Sequence, residues 1–171
     1  MEGMKTMIIR SETAVDRARI AEITQIAFKD CPHGTHNEHR VIDALREANA
    51  LAVSLVCVID GAVVGHIAFS PVEISDGSTS WYGLGPISVL PQNQNAGIGS
   101  ALLQSGLDRI RELGAHGCVL VGEPRYYERF GFKSCPEFFC DGVPPENLLV
   151  LPFDKGCPKG KITFHPAFFV E

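Results

Sequence analysis

Apolar residues follow strand spacing in some parts of the chain and helical spacing in others, which predicts a mixed fold. Residues 6–10 alternate weakly between apolar and polar, as a short first strand does. Apolar residues three and four apart then predict one helix that ends near Phe28 and a second short helix with Val41, Ile42, Leu45 and Ala48 on one side. Thr13 and Asp16 have the spacing of a capping box, which marks the start of the first helix.

The middle of the chain predicts a hairpin and then a strand, a helix and another strand. Residues 52–59 and 62–70 are apolar and flank Asp60-Gly61, a common hairpin turn. A long strand across residues 81–90, a helix across 98–113 and a short buried strand across 117–122 follow. Strand–helix–strand connections are right-handed, so the strands at 81–90 and 117–122 should be parallel.

The rest of the chain adds one brief helix and a segment with little periodicity. Pro124 suits the first turn of a helix, and Gly131 suits its end. With 171 residues, the chain fits one domain of the α/β class, with a mixed sheet flanked by helices. We expect a core at residues 6–135 and a C-terminal extension, residues 136–171, whose irregular strands close the sheet.

Charge and hydropathy narrow the class of protein. The net charge is -5 and no stripe of Lys and Arg occurs, so we do not expect nucleic-acid binding. No apolar run approaches the roughly 18 residues that a membrane helix needs, and the first residues lack a secretory pattern, so we expect a cytoplasmic protein. An acidic protein can still bind an anion through backbone N–H groups at a helix start.

Cysteine and histidine clusters raise the question of a metal. Of the six cysteines, Cys57 and Cys118 lie in apolar runs and should be core residues. Two other groups could in principle collect a metal ion: Cys135, Cys140 and Cys157 with His165, and His33, His36 and His39 with Glu38. The cysteine spacing matches no common zinc pattern, so we expect reduced thiols and no metal.

Residues 89–103 carry the most informative pattern. A β-branched strand ends at Leu90-Pro91, a polar loop with Gly97 and Gly99 follows, and a helix begins directly. Glycine lets a ligand approach the main chain, and the first N–H groups of a helix have no intrahelical acceptor, so a pyrophosphate fits there. The spacing lacks the Lys-Ser/Thr pair of a P-loop and the first glycine of a dinucleotide fingerprint. Packing glycines or a simple helix-entry turn are the alternatives.

The segment 87–103 resembles motif A of the GCN5-related N-acetyltransferases, the GNAT superfamily. That motif is Gln/Arg-x-x-Gly-x-Gly/Ala after a strand that ends in Val-x-Pro, and this chain has Gln94-x-x-Gly97-x-Gly99. Residues 126–132, Tyr-Tyr-Glu-Arg-Phe-Gly-Phe, are similar to the second signature of the family, Tyr-x-x-x-Gly-Phe. The likeness covers residues 6–135, and the tail resembles that of a little-characterised bacterial subgroup.

The resemblance implies a mostly antiparallel sheet that splays at its one parallel strand pair. It implies direct transfer of the acetyl group of acetyl-CoA to an amine on a small molecule or peptide, with a homodimer as an open alternative to a monomer. The strand backbone at Ile87, Ser88 and Val89 would hold the pantetheine arm and the acetyl carbonyl. The pyrophosphate would be bound by the backbone N–H groups of Gln94, Asn95, Ala96, Gly97, Ile98, Gly99 and Ser100.

The resemblance also implies that Tyr127 protonates the departing thiolate. Free thiols have a pKa near 8.5 and tyrosine a pKa near 10, so full proton transfer is uphill by roughly 1.5 pKa units, or about 2 kcal/mol. A hydrogen-bonded general acid can supply that. The alternative is that Tyr127 is a packed aromatic residue on a short helix.

Three positions depart from the family pattern. Leu120 replaces an asparagine that contacts the cofactor in many relatives, and Asn95 and Ala96 replace a glycine and a basic residue. No carboxylate lies within residues 81–90, where several relatives have the general base. Glu73, Glu123 or a water chain are the candidates for that role.

Other functions remain open from the sequence. A module that binds acyl-CoA without turnover would share the same fold. A nucleotide-dependent oxidoreductase is disfavoured, because the glycine fingerprint is missing before Glu123. The loop with His33, His36 and His39 lies where the family borders its acceptor substrate, so a polar loop beside the acceptor groove is the alternative to a metal site.

Overall fold

A computed structural model describes residues 6–32, 34–154 and 156–170 of the chain. Apart from β4, which was not predicted, its helices and strands agree with the predicted elements to within about three residues up to residue 131. In chain order they are β1 (Met7–Ser11), α1 (Arg17–Phe28), α2 (Glu38–Glu47), β2 (Val53–Ile59), β3 (Ala62–Pro71), β4 (Glu73–Ile74), β5 (Trp81–Val89), α3 (Ile98–Glu112), β6 (Gly117–Val121), α4 (Pro124–Tyr127), β7 (Phe138–Phe139), β8 (Leu148–Pro152) and β9 (Gly160–Thr163). None of the helices in these residues is long and apolar enough to cross a bilayer.

The capping box at the start of the first helix is present and is tied to β1. The Thr13 N–H donates to Asp16 Oδ2 at 2.7 Å, and a 3₁₀ turn at residues 14–16 leads into α1. Arg10 donates to both carboxylate oxygens of Asp16, at 2.7 and 3.1 Å. The hydrogen bond from Arg10 outweighs burial and holds the pKa of Asp16 well below its usual value.

Six strands form the main sheet, in the order β1-β2-β3-β5-β6-β8. All neighbouring pairs are antiparallel except β5 and β6, which are parallel as predicted. The parallel pairing covers only three residue pairs, from Trp81 opposite Gly117 to Gly83 opposite Val119. Beyond these residues the two strands separate, so the sheet has the splayed parallel pair that the family resemblance implied.

Helices cover both faces of this sheet. α3 contacts β2, β3 and β5 on one face, and α1 contacts β3 and β5 on the other. α3 approaches closely because Gly106 has no side chain: a Cβ there would lie 2.2 Å from the Phe69 ring, which is fully buried. Cys57 and Cys118 are fully buried in the core, as expected.

The C-terminal extension is more ordered than the sequence indicated. β8 pairs with β6 along its whole length and forms the edge of the main sheet. β7 and β9 join β4 in a second sheet, in the order β4-β9-β7, which the sequence did not predict. Trp81, Phe138 and Ile162 fill the core beneath it. Strands of two residues have too little pattern to be recognised by alternation.

The close contact between α3 and the sheet predicts that Gly106→Ala destabilises the protein by about 1–3 kcal/mol, the usual cost of overpacking a core. The buried Phe69 ring cannot move aside without displacing its neighbours. Urea unfolding would measure the change in unfolding free energy. Gln104→Ala, on the exposed side of α3, is the matched control and should change it little. A Gly106→Ala protein as stable as the parent would contradict the prediction.

Candidate functional site

The separation of β5 from β6 leaves a cleft with unpaired backbone along β5. The Leu90 N–H donates to Val64 O at 2.9 Å, so this end of β5 is bonded to β3 at every second residue. By that alternation the Ser88 backbone turns toward β3, and the Ile87 and Val89 backbones turn toward the cleft. The cleft therefore offers the Ile87 backbone and the Val89 N–H to an amide-bearing ligand, whereas Val89 O accepts from the Gln94 side chain.

Gln94 has a structural role in the loop after β5. Its side chain donates to Val89 O at 3.1 Å, which ties the loop to the end of the strand. Its backbone N–H donates to Pro91 O at 3.3 Å. The Gln94 N–H is thus already engaged, which corrects the expectation that it is free for an anion.

The other six predicted N–H groups, from Asn95 to Ser100, remain available. Among the described residues, none of them donates to a protein acceptor, and the first helical bond of α3 is Ala101 N–H to Gly97 O at 3.0 Å. Gly97 has φ 81°, a left-handed conformation that turns the chain into the helix and that glycine adopts without strain. Six consecutive free donors at a helix N-terminus form a strong anion site.

Two side chains that the sequence analysis did not assign also meet this loop. Arg129 Nη2 donates to Ser100 Oγ at 3.1 Å, and its guanidinium stacks 4.6 Å from the centre of the Tyr126 ring. The Tyr126 hydroxyl lies over the helix start, 2.9 Å from where a Cβ on Gly99 would be. The basic residue that the loop itself lacks at Ala96 therefore has a counterpart in Arg129, which has no carboxylate partner in the described part of the chain.

Tyr127 lies at the end of α4, just beyond β6 on the far side of the cleft. Its ring packs over Gly122, where a Cβ would lie only 2.6 Å away, and against Phe132 with ring centres 6.1 Å apart. Burial, with smaller effects of Tyr126 and Cys118, raises the pKa of Tyr127 to about 12. The phenol is therefore a lasting proton donor at neutral pH, and Leu120, which is buried in the core, offers no polar contact beside it.

The two carboxylates considered as bases are both exposed. Glu73 lies on β4, paired with Thr163 in the second sheet and beyond the end at which β5 and β6 are still paired. Glu123 precedes α4, and its carbonyl accepts from the N–H groups of Tyr126 and Tyr127. Neither carboxylate is held by a described hydrogen bond in the cleft.

The loop that contains His36 lies between α1 and α2, away from Cys135, Cys140 and Cys157. His36, Glu38 and His39 line a cavity of about 330 Å³ together with Lys29; His33 lies outside the described residues. Within the described ranges, no group of three or more His, Cys, Asp or Glu side chains could hold a metal ion. The cavity at the α1–α2 junction is also lined by Ile26 and Phe28, so its wall is more apolar than the histidines alone indicate.

A chain of hydrogen-bonded polar side chains, which the sequence analysis missed, runs over β3 and β2 on the sheet face that α1 covers. His66 is fully buried on β3, and its Nε2 lies 2.8 Å from Ser54 Oγ. Ser54 Oγ also bonds to Glu12, which in turn accepts two hydrogen bonds from Arg46 at 2.9 and 3.1 Å. Glu12, Ser54 and His66 stand far apart in the sequence. The pairing of β1, β2 and β3 brings them together, and no local pattern indicates this.

The buried histidine predicts that stability falls with acid. Burial lowers the pKa of His66 to about 4, although Glu12 partly opposes this shift. Between about pH 6.5 and 4 the imidazole is therefore protonated in the unfolded chain but neutral in the native state. The unfolding free energy decreases as the pH falls through this range. Between pH 6 and 5 the unfolding free energy should drop by about 1 kcal/mol. Urea unfolding of His66→Gln should show a flatter pH dependence; an unchanged slope would contradict the burial of a neutral imidazole.

The profile of the acetyltransferase (GNAT) family matches residues 18–132. The chain is 33% identical over 128 residues to an Escherichia coli K12 protein described as uncharacterized N-acetyltransferase YhbS, with 74% of each chain covered. It is 30% identical over 124 residues to uncharacterized N-acetyltransferase YjhQ of the same strain, covering 70% of this chain and 66% of that one.

Two solved structures share the fold over nearly the whole chain. A GNAT family acetyltransferase from Brucella melitensis, in complex with acetyl-CoA, has a TM-score of 0.85 and 44% identity and covers 95% of this chain and 98% of its own. The Escherichia coli YhbS protein, in complex with CoA, has a TM-score of 0.88 and 27% identity and covers 98% and 94%.

Proposed function

Because the chain belongs to the acetyltransferase (GNAT) family, we propose that it transfers the acetyl group of acetyl-CoA directly to an amine, with Tyr127 as the proton donor to the CoA thiolate. The observation that carries this proposal is the row of six N–H groups from Asn95 to Ser100 without a described acceptor, beside the gap between β5 and β6. The complexes of the Brucella protein with acetyl-CoA and of the Escherichia coli protein with CoA support it.

The cofactor would follow the unpaired donors of the site. Its pyrophosphate would lie on the N–H groups of residues 95–100, with Arg129 as the neighbouring cation. Its pantetheine arm would run along β5 and pair with the Ile87 and Val89 backbones in place of the missing strand. The thioester would then lie between β5 and Tyr127.

The raised pKa of Tyr127 defines how it acts. With a tyrosine pKa of about 12 and a thiol pKa near 8.5, full proton transfer is uphill by about 5 kcal/mol. A hydrogen bond to the sulfur, tightening as charge develops, is therefore favoured, and the proton moves only as CoA departs into a more polar environment. The energetic gap is wider than the sequence indicated, because burial of the ring could not be read from it.

A binding module without turnover is the second candidate function, since no carboxylate base is held in the cleft. Incubation with acetyl-CoA and a panel of amines, including spermidine, an aminoglycoside, a free amino acid and a lysine peptide, would separate the two. Release of free thiol that depends on an amine supports the transferase. Tight CoA binding with no thiol release from any panel member supports the module. The homodimer and the cytoplasmic location expected from the sequence stay predictions.

Cofactor binding should depend on open space over the helix start. Gly97→Val places a branched side chain in the path of the phosphates, and calorimetry with CoA should show affinity falling at least tenfold, or about 1.4 kcal/mol. Gly61→Val is the matched control, because Gly61 has nearly the same φ, 83° against 81°, and the same empty surroundings but lies in the β2–β3 turn.

Arg129→Ala should weaken the binding of CoA and of 3′-dephospho-CoA by the same factor of about three to ten, with Arg125→Ala as control. Unchanged affinity in both site variants would contradict the assignment.

Tyr127→Phe should lower kcat about 10²–10⁴-fold with little change in CoA affinity, because the ring stays and only the proton donor is lost. Steady-state kinetics and calorimetry would measure the two effects separately. Tyr82→Phe, where β5 is still paired with β6, is the control. Tyr126→Phe is unsuitable as a control, because the Tyr126 hydroxyl lies over Gly99 at the start of α3. Full activity of Tyr127→Phe would show that another group or water protonates the thiolate.

A further inference from the structure

Two buried polar atoms without partners face each other across β3 and β5. His66 and Ser88 are opposite residues in this antiparallel pair. Among the described residues, neither His66 Nδ1 nor Ser88 Oγ has a hydrogen-bond partner, although both atoms are buried. Opposite residues project to the same face with Cβ atoms about 5 Å apart. A side-chain rotation can therefore join Ser88 to the chain of His66, Ser54 and Glu12.

The direction of the hydrogen bonds in this chain follows from the number of protons available. Burial raises the pKa of Glu12, but hydrogen bonds from Arg46 and Ser54 outweigh it and keep the carboxylate ionised, so Glu12 only accepts. Ser54 has one proton and gives it to Glu12, so its oxygen must accept from the Nε2–H of His66. Nδ1 is then a bare lone pair, ready to accept the hydroxyl proton of Ser88.

The two ends of the chain lie in different environments. Ser88 lies between Ile87 and Val89, the residues whose backbones line the cleft, on the sheet face that α1 covers. α3 covers the other face of the sheet. In the binding mode proposed above, the acetyl group would lie beside Ile87 and Val89 and therefore next to Ser88. Glu12 and Ser54 line a separate cavity of about 520 Å³ that also contains Arg109 and Glu112, near the opposite end of α3.

We propose that this buried chain, from Ser88 through His66 and Ser54 to Glu12, is a proton relay for the acceptor amine. The proposal rests on the proposed function. The ammonium proton passes, directly or through one water, to Ser88 Oγ while the Ser88 hydroxyl proton moves to Nδ1. His66 releases its Nε2 proton to Ser54, and Ser54 releases its own to Glu12, which gives one proton to solvent in the cavity. One proton enters, one leaves, and the neutral amine attacks the thioester.

The surroundings of His66 suit a group that passes a proton without keeping it. The charged residues that act on it are Glu12, from the segment after β1, and Arg46, from α2. Its neighbours in the sheet, Val56 and Ser88, carry no charge, and neither do the buried residues of α1. An imidazolium formed here is costly, so both nitrogens must exchange protons together.

A relay predicts a kinetic defect that depends on the protonation of the amine. Ser54→Ala and His66→Gln should lower kcat/KM about 10²-fold at pH 7, with whichever panel amine supports turnover. The defect should shrink steeply toward about pH 10, where roughly a quarter of a primary amine of pKa near 10.4 is already neutral and Tyr127, with its pKa of about 12, is still protonated. Ser70→Ala is the control, because it removes another buried, unpartnered hydroxyl from β3 and should leave the pH profile unchanged.

The outcome separates a relay from a purely structural chain. An equal defect at every pH, with lowered thermal stability, would mean that the residues only hold the sheet together and would overturn the relay. An unchanged pH profile in stable variants would do the same. ¹⁵N NMR of His66 tests the geometry without any acceptor: the Nε2–H tautomer and an Nδ1 signal that shifts in Ser88→Ala support the relay, and the Nδ1–H tautomer overturns it. If no amine is acetylated by the parent protein, the proposed function fails, and the NMR result still decides whether the chain is connected.

Discussion

The gap between β5 and β6 is the feature on which the rest of the site depends. β5 is bonded to β3 along its length and β6 is bonded to β8 along its length, so each strand is held from its outer side. The two strands pair with each other only at their first three residues. An unpaired buried backbone group costs about 1–3 kcal/mol, so the open edge of β5 favours a ligand that supplies amides in strand-like fashion. The C-terminal extension thus contributes to the site, because β8 holds the outer edge of β6 and Asn147 bonds to Gly122 beneath the Tyr127 ring.

The loop at residues 94–100 is the proposed anion site of an acidic chain. With a net charge of -5, the overall field opposes a polyphosphate, so attraction must be local. The helix start supplies six N–H groups, and Arg129 adds a full charge from another element, oriented by the Tyr126 ring. Arg129 also donates to Ser100 in the first turn of α3. The signature at residues 126–132 therefore contacts the signature at residues 94–99 through the start of α3. This contact explains why a loop with Asn95 and Ala96 can dispense with its own basic residue.

Much of the fold was predictable because its signals are local. Periodicity located the helices and the longer strands up to Gly131, and two short motifs indicated the loop at residues 94–100 and Tyr127. The second sheet was not predictable, because Glu73–Ile74 and Phe138–Phe139 are too short to show alternation and pair only through distant residues. The buried chain at His66 and the contact of Arg129 with Ser100 were missed for the same reason: both depend on strand register or on the packing of a helix against a loop, which no spacing along the chain encodes.

The two perturbed side chains divide the proton chemistry of the site between its two sides. Burial raises the pKa of Tyr127 to about 12 on the side of β6, so the phenol stays protonated, as the proposed donation to the leaving sulfur requires. Burial lowers the pKa of His66 to about 4 on the side of β3, which keeps a lone pair ready for a proton from the amine. Groups whose environments push their pKa values apart are suited to opposite acid and base roles. One desolvated sheet can therefore support donation and acceptance of protons without any carboxylate in the cleft, because the charge that balances the relay lies at Glu12, where solvent reaches it.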